Sequence, residues 1–149
     1  VPTAAGDPVV PRGGDRNTSV RAVAVVVRDR RVLVMKRHYR GEDYAVLPGG
    51  GVDEGESQEA AAVRELLEET TLRGSVAGVL LSGTHNGRPA TYFLLADVTG
   101  EPVLSGPEAD AQAEDNRFEL VWAAAADLER LGLHPPHLRD DLPRLLGLT

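Results

Sequence analysis

The sequence predicts a mixed α/β domain whose mixed sheet lies between helices. Three observations carry that expectation: short Val- and Leu-rich runs of strand length, one strong helical segment among them, and further helical patterns near the C-terminus. "SVRAVAVVVRD" is almost continuously apolar, as a strand buried on both faces would be. "RRVLVMKRH" follows the short connection "DR", so the two would form a hairpin. "YAVL" is a brief extended piece, stopped by Pro48 and by a turn through Gly49, Gly50 and Gly51. A helix should then run from about Ser57 to Thr70, with Ser57 as its N-cap and Glu59 in its first turn. "SVAGVLLSGT" and "ATYFLLADVT" read as strands joined by the turn signal "HNGRP". The acidic stretch "GEPVLSGPEADAQAEDN" reads as a loop with room for one helical turn. "RFELVW" returns to strand pattern, "AAAADLERLG" to helix, and "PPHLRDDLPRLLGL" to a short terminal helix opened by prolines.

Composition narrows the function. The 149 residues suit one domain, expected over 19–149, with the Pro-, Gly- and Asp-containing segment 1–18 as a flexible N-terminal tail. There is no cysteine, which excludes disulfides and thiolate metal sites and fits a cytoplasmic setting. The net charge of −7 weighs against broad nucleic-acid binding, which depends on Lys and Arg neutralising phosphates. No apolar run approaches the ~20 residues of a membrane span, so no membrane partner is expected.

The helix holds the informative feature. "RELLEE" places Glu65, Glu68 and Glu69 close together: at 100° per residue, Glu65 and Glu69 lie about 40° apart and Glu68 about 60° to the other side. Ala60, Val63, Leu66 and Leu67 share the opposite arc and are expected to pack on the sheet. Arg64 can partly neutralise Glu68 at i, i+4. Like charges at this spacing cost only about 0.2–0.5 kcal/mol per pair, so a solvated acidic face explains "RELLEE" taken alone. A divalent cation with oxygen ligands explains it as well, because Mg²⁺ takes a few carboxylates and bridges substrate phosphates. The strand, the glycines, Glu56 and then the glutamate helix favour the second explanation.

Gly50, Glu56, Arg64, Glu65, Leu66, Glu68, Glu69 and Leu72 resemble the Nudix box, G-x5-E-x7-R-E-U-x-E-E-x-G-U with U aliphatic. Thr71 stands where that pattern has glycine. The resemblance implies a Nudix-type α/β/α sandwich and a pyrophosphohydrolase acting on a nucleoside diphosphate derivative, with Mg²⁺ or alternatively Mn²⁺ as cofactor. The small-molecule nucleotide would be an ADP-ribose-like sugar nucleotide or a nucleoside triphosphate. It further implies that Glu68 and Glu69 are metal ligands, that Glu65 binds metal or takes a proton from the attacking water, and that Arg64 braces the group through Glu56. The Gly49 carbonyl would be a further oxygen ligand.

Members of the family often recruit another acid from a downstream loop; Glu114 is the first candidate here and Glu108 the second, each otherwise a solvated loop charge. Arg37, Tyr44 and Gly50 are candidates for substrate contact, Arg37 being otherwise an exposed charge at a strand end. The C-terminal helical segments are expected in the core, with a homodimer surface as the other use of their apolar positions. The rival reading is a catalytically silent nucleotide sensor or interaction module of the same fold, which would be expected to have lost box acids; all are present here.

Overall fold

In the computed structural model, residues 17–148 are described. The expected tail lies outside the described residues except for Asn17 and Thr18, which already belong to the first strand.

β1 (Asn17–Val25) owes its position to its apolar residues from Ala22 onward. Val23 and Val25 enter one core cluster with Val32, Val34, Tyr92, Leu138 and Leu142. Ala22 and Ala24 enter a second cluster with Leu33, Ala61, Leu66 and Phe93. The strand is therefore buried on both faces, as its pattern requires. β2 (Val27–Arg28) turns through Asp29 and Arg30, both at positive φ (53° and 61°), into β3 (Arg31–Tyr39). That two-residue turn is the expected hairpin, since positive φ at both positions matches the twist of paired strands.

β4 (Glu42–Val46) is followed by a difference from expectation: Gly49–Val52 is not a turn but a strand, β5, antiparallel to β1 with Gly49 opposite Val23 and Gly50 opposite Ala22. The glycines are needed for close approach instead. A Cβ on Gly49 would stand 2.6 Å from the Ala22 carbonyl oxygen and 2.9 Å from the Val23 Cα.

α1 (Gln58–Thr70) starts at Ser57, whose Oγ accepts from the Ala60 N–H at 3.0 Å. β6 (Arg73–His85) and β7 (Arg88–Thr99) form a long hairpin through Asn86 and Gly87, again both at positive φ. α2 (Pro107–Asp110) is a single turn, β8 (Asn116–Ala123) runs back beside β3, and α3 (Leu138–Leu146) closes the chain. The helix expected over 123–132 is reduced to the 3₁₀ turn Ala125–Asp127, held by the Asp127 carboxylate accepting from the Ala124 N–H. Leu128 and Leu133 are each fully buried there, so packing of single leucines replaces a helical stripe.

The strands make two four-stranded sheets. One has the order β5-β1-β7-β6 and is mixed, with β1 and β7 parallel. The other is antiparallel, with β8 on one edge of β3 and β2 and β4 on the other. Both sheets contribute to both clusters; α1 covers one and α3 the other, giving the α/β/α layering. Among the described residues, no helix is long and apolar enough to cross a membrane.

Candidate active site

The site grows from the way α1 lies on the first sheet. Its buried residues are Ala61, Ala62, Glu65, Leu66, Glu69 and Thr70, whereas Ala60 is exposed and Val63 and Leu67 are only partly covered. The expected packing arc is thus corrected: two of the three glutamates lie on the inward side, Glu65 only 1% and Glu69 only 6% exposed. Small neighbours, Ala61, Ala62 and Thr70, let the helix approach closely enough to cover them.

Arg64 makes the burial of Glu65 tolerable. Its Nε donates to Glu56 Oε2 at 2.7 Å and its Nη2 to Glu56 Oε1 at 2.9 Å, a forked pair. Nη2 also donates to the Gly51 carbonyl at 3.0 Å, which ties the helix to β5. Nη1 donates to Glu65 Oε1 at 2.9 Å and to Glu68 Oε1 at 3.2 Å. The Asp53 N–H donates to Glu56 Oε1 at 3.0 Å, completing a braced corner between loop and helix. Arg64 holds the Glu56 carboxyl below the usual carboxylate range, and Glu56 in turn raises the Arg64 pKa.

Glu69 behaves in the opposite way. Burial, then the charges of Glu108 and Glu65, push its pKa well above the ordinary value, with Arg21 opposing weakly. The carboxylates of Glu56, Glu65, Glu68, Glu69 and Glu108 therefore share a region with Arg64, which is ion-paired to the first three of them. The C-terminal end of α1 has no basic residue in its last turn, so the negative end of the helix dipole adds to the same field. An all-oxygen set of carboxylates fits a hard divalent cation such as Mg²⁺ or Mn²⁺. Among the described residues, no three of these acids are already converged as a coordination shell; Arg64 engages Glu65 and Glu68.

Of the downstream acids, it is Glu108, in α2, whose charge reaches Glu69. Glu114 is exposed in the turn before β8, where its carbonyl accepts from Arg117. Gly49 and Gly50 lie in β5, whose Gly51 carbonyl meets Arg64. Arg37 is not an exposed strand-end charge: only 8% is accessible. It donates to Asn116 Oδ1 at 3.0 Å and stands over Phe118 at 4.3 Å, with Tyr44 at 5.6 Å. Arg37 and Tyr44 thus sit as partners on facing positions of β3 and β4 in the second sheet.

A feature absent from the sequence reading is a small cavity walled by Arg21, His85, Tyr92 and His134. The Tyr92 hydroxyl is buried there without a hydrogen-bond partner among the described residues, and burial pushes its pKa up to about 12. The cavity lies on the side of the first sheet that packs against α3, since Val23, Tyr92 and Leu138 belong to the same core cluster. Only the "HNGRP" turn beside His85 and the prolines after His134 could have marked those residues.

Thr71 closes α1 in the left-handed conformation at φ 64°, where a β-branched residue is strained. The side chain is exposed. Thr71→Gly is expected to stabilise the fold by about 1 kcal/mol, the relieved strain exceeding glycine's extra backbone entropy. Urea denaturation of both proteins checks this; equal or lower stability of the glycine variant would contradict it.

The NUDIX domain family model matches residues 18–143, and the chain belongs to that family. An RNA pyrophosphohydrolase of Erythrobacter litoralis is 31% identical over 107 residues, 67% of this chain and 62% of that protein. Another RNA pyrophosphohydrolase, from Sphingopyxis alaskensis, is 41% identical over 58 residues, 39% of this chain and 37% of that protein. The matches thus span less than two thirds of the length of these curated relatives. The crystal structure of a MutT NUDIX hydrolase from Burkholderia pseudomallei superposes with a TM-score of 0.65 and 31% identity, over 87% of this chain and 97% of that one.

Proposed function

We propose that the chain is a pyrophosphohydrolase that cleaves the diphosphate linkage of a nucleoside diphosphate derivative with a divalent cation, Mg²⁺ or Mn²⁺. The observation that carries this reading is the buried Glu65 and Glu69 beside Glu68 and Glu108, braced from behind by Arg64 and Glu56. Burying like charges without a cationic ligand in prospect would be a standing cost to the fold.

Glu68, Glu69 and Glu108 would hold the cation, with Glu65 as a further ligand or as the acceptor of the water's proton. A bound cation would supply charge neutralisation at the phosphates and make the attacking water easier to deprotonate. Arg64 keeps Glu65 in one orientation and Glu56 keeps Arg64 in place, so proton acceptance, often worth about 10²–10⁴-fold, occurs at a fixed atom.

The two curated relatives named as RNA pyrophosphohydrolases support RNA as one substrate class to test. The net charge of −7 favours small nucleotides over long RNA. The test is product formation over a panel of ADP-ribose, nucleoside triphosphates and a short 5′-triphosphorylated RNA, with Mg²⁺, with Mn²⁺ and with chelator. Turnover that needs the cation is expected. Ligand-induced thermal stabilisation without any turnover would favour the sensor reading instead.

A further inference from the structure

The acids of the proposed cation site come from two places, α1 and the segment after β7, and the structure shows what joins them. The last carbonyls of a helix lack partners within it and are normally left to water. Here a short strap takes them. The Ser105 Oγ–H donates to the Glu68 carbonyl, the Ser105 N–H to the Glu69 carbonyl at 2.9 Å, and the Val103 N–H to the Thr70 carbonyl at 2.9 Å. One residue, Ser105, therefore grips the main chain of both adjacent glutamates.

The next residue lets the strap lie that close. Gly106 has φ 75° and ψ −158°, a conformation open essentially to glycine alone. A Cβ there would stand 2.8 Å from the Glu68 carbonyl oxygen. Pro107 then starts α2, and Glu108 Oε1 turns back to within 3.8 Å of the same Cβ position. Only Gly106 and Pro107 separate the grip on Glu68 and Glu69 from Glu108, whose charge acts on Glu69.

We propose that Ser105 and Gly106 are positioning residues, locking the main chain of Glu68 and Glu69 to the segment bearing Glu108 so that acids from helix and loop meet one cation in fixed register. This rests on the cation-binding reading above. Water could satisfy the helix carbonyls equally well, so what the strap adds over water is the register between the two sets of acids.

Mn²⁺ binding to the full chain, followed by the EPR signal of free Mn²⁺, tests this without reference to turnover. Ser105→Ala keeps the main-chain bond to Glu69 and is expected to fold, with its melting temperature recorded alongside. Its Mn²⁺ affinity should fall about tenfold, the usual scale for a group that orients a metal ligand. Ser105→Thr, which keeps the hydroxyl, should restore affinity to within about threefold of wild type on the same scale. Glu108→Gln should also weaken binding, and adding Ser105→Ala to it should cost little more, because the two act through one route. Wild-type affinity in Ser105→Ala, or fully additive losses in the double variant, would overturn the proposal while leaving the proposed function standing. Absence of Mn²⁺ binding by the wild-type chain would overturn both.

Discussion

Glu69→Gln is expected to abolish detectable turnover while leaving the chain folded, and in chelator to make it more stable than wild type. Activity falls because an amide is a poor ligand for a hard cation and carries no charge to hold it. Stability rises because the Glu69 carboxylate is buried and faces Glu108 and Glu65, all of which disfavour its charged form. The sign of the pH dependence follows from linkage. A carboxyl whose folded pKa lies above its unfolded value binds more protons in the folded state, so its ionisation opposes folding progressively as pH rises above about 4.5. The stability gap between the variant and wild type should therefore be small in acid and widen toward neutral pH. Chemical denaturation in chelator at several pH values reads the gap directly. A variant with wild-type turnover would refute the ligand role, and a gap that narrows as pH rises would refute the electrostatic explanation.

Arg64→Ala should be the most destabilising single change in the site. Its guanidinium serves Glu56, Glu65, Glu68 and the Gly51 carbonyl, and its removal leaves Glu65, 1% exposed, without that partner. Stripping the partner from a buried charge costs about 3–5 kcal/mol. Arg64→Lys should recover only part of this, because a single ammonium cannot span the fork on Glu56 and still reach Glu65. Here the linkage sign is reversed. Glu56 is held below its ordinary pKa chiefly by Arg64, so its contribution is present above about 4.5 and disappears as pH falls through the lower folded value. In Arg64→Ala that acid-side loss of stability should be reduced. Denaturant midpoints across the acid range decide the matter; a loss under 1 kcal/mol at neutral pH would show that Arg64 is not the brace.

Several features could be read directly from residues. The unbroken "AVAVVV" run gave a strand buried on two faces, Ser57 gave the N-cap, and "NG" gave the long hairpin, because each signal acts within a few residues. The positions of Glu56, Arg64, Glu65, Glu68 and Glu69 were likewise fixed by spacing. The inward turn of Glu65 and Glu69 was hidden, since an arc drawn on apolar residues takes no account of a guanidinium that pairs a buried carboxylate, as for Glu65, or of burial that favours the neutral acid, as for Glu69. Gly49 to Gly51 looked like a turn because their role is close approach to β1, a contact made across 25 or more residues of chain. The proposal of Glu108 in place of Glu114 rests on its charge acting on Glu69, a relation that depends on where α1 ends. The local hint was "SGPE": a glycine, then a proline at a helix start, just before the acid.

The central claim is that these carboxylates hold a cation which drives attack of water on phosphorus. It is tested most directly by running the panel compounds in ¹⁸O-labelled water and examining the products by ³¹P NMR, with Mg²⁺ and with chelator. The predicted result is cleavage only with Mg²⁺ and a single ¹⁸O on one phosphoryl product, seen as its isotope-shifted resonance. Equal cleavage in chelator, or products whose phosphorus carries no label, would contradict it.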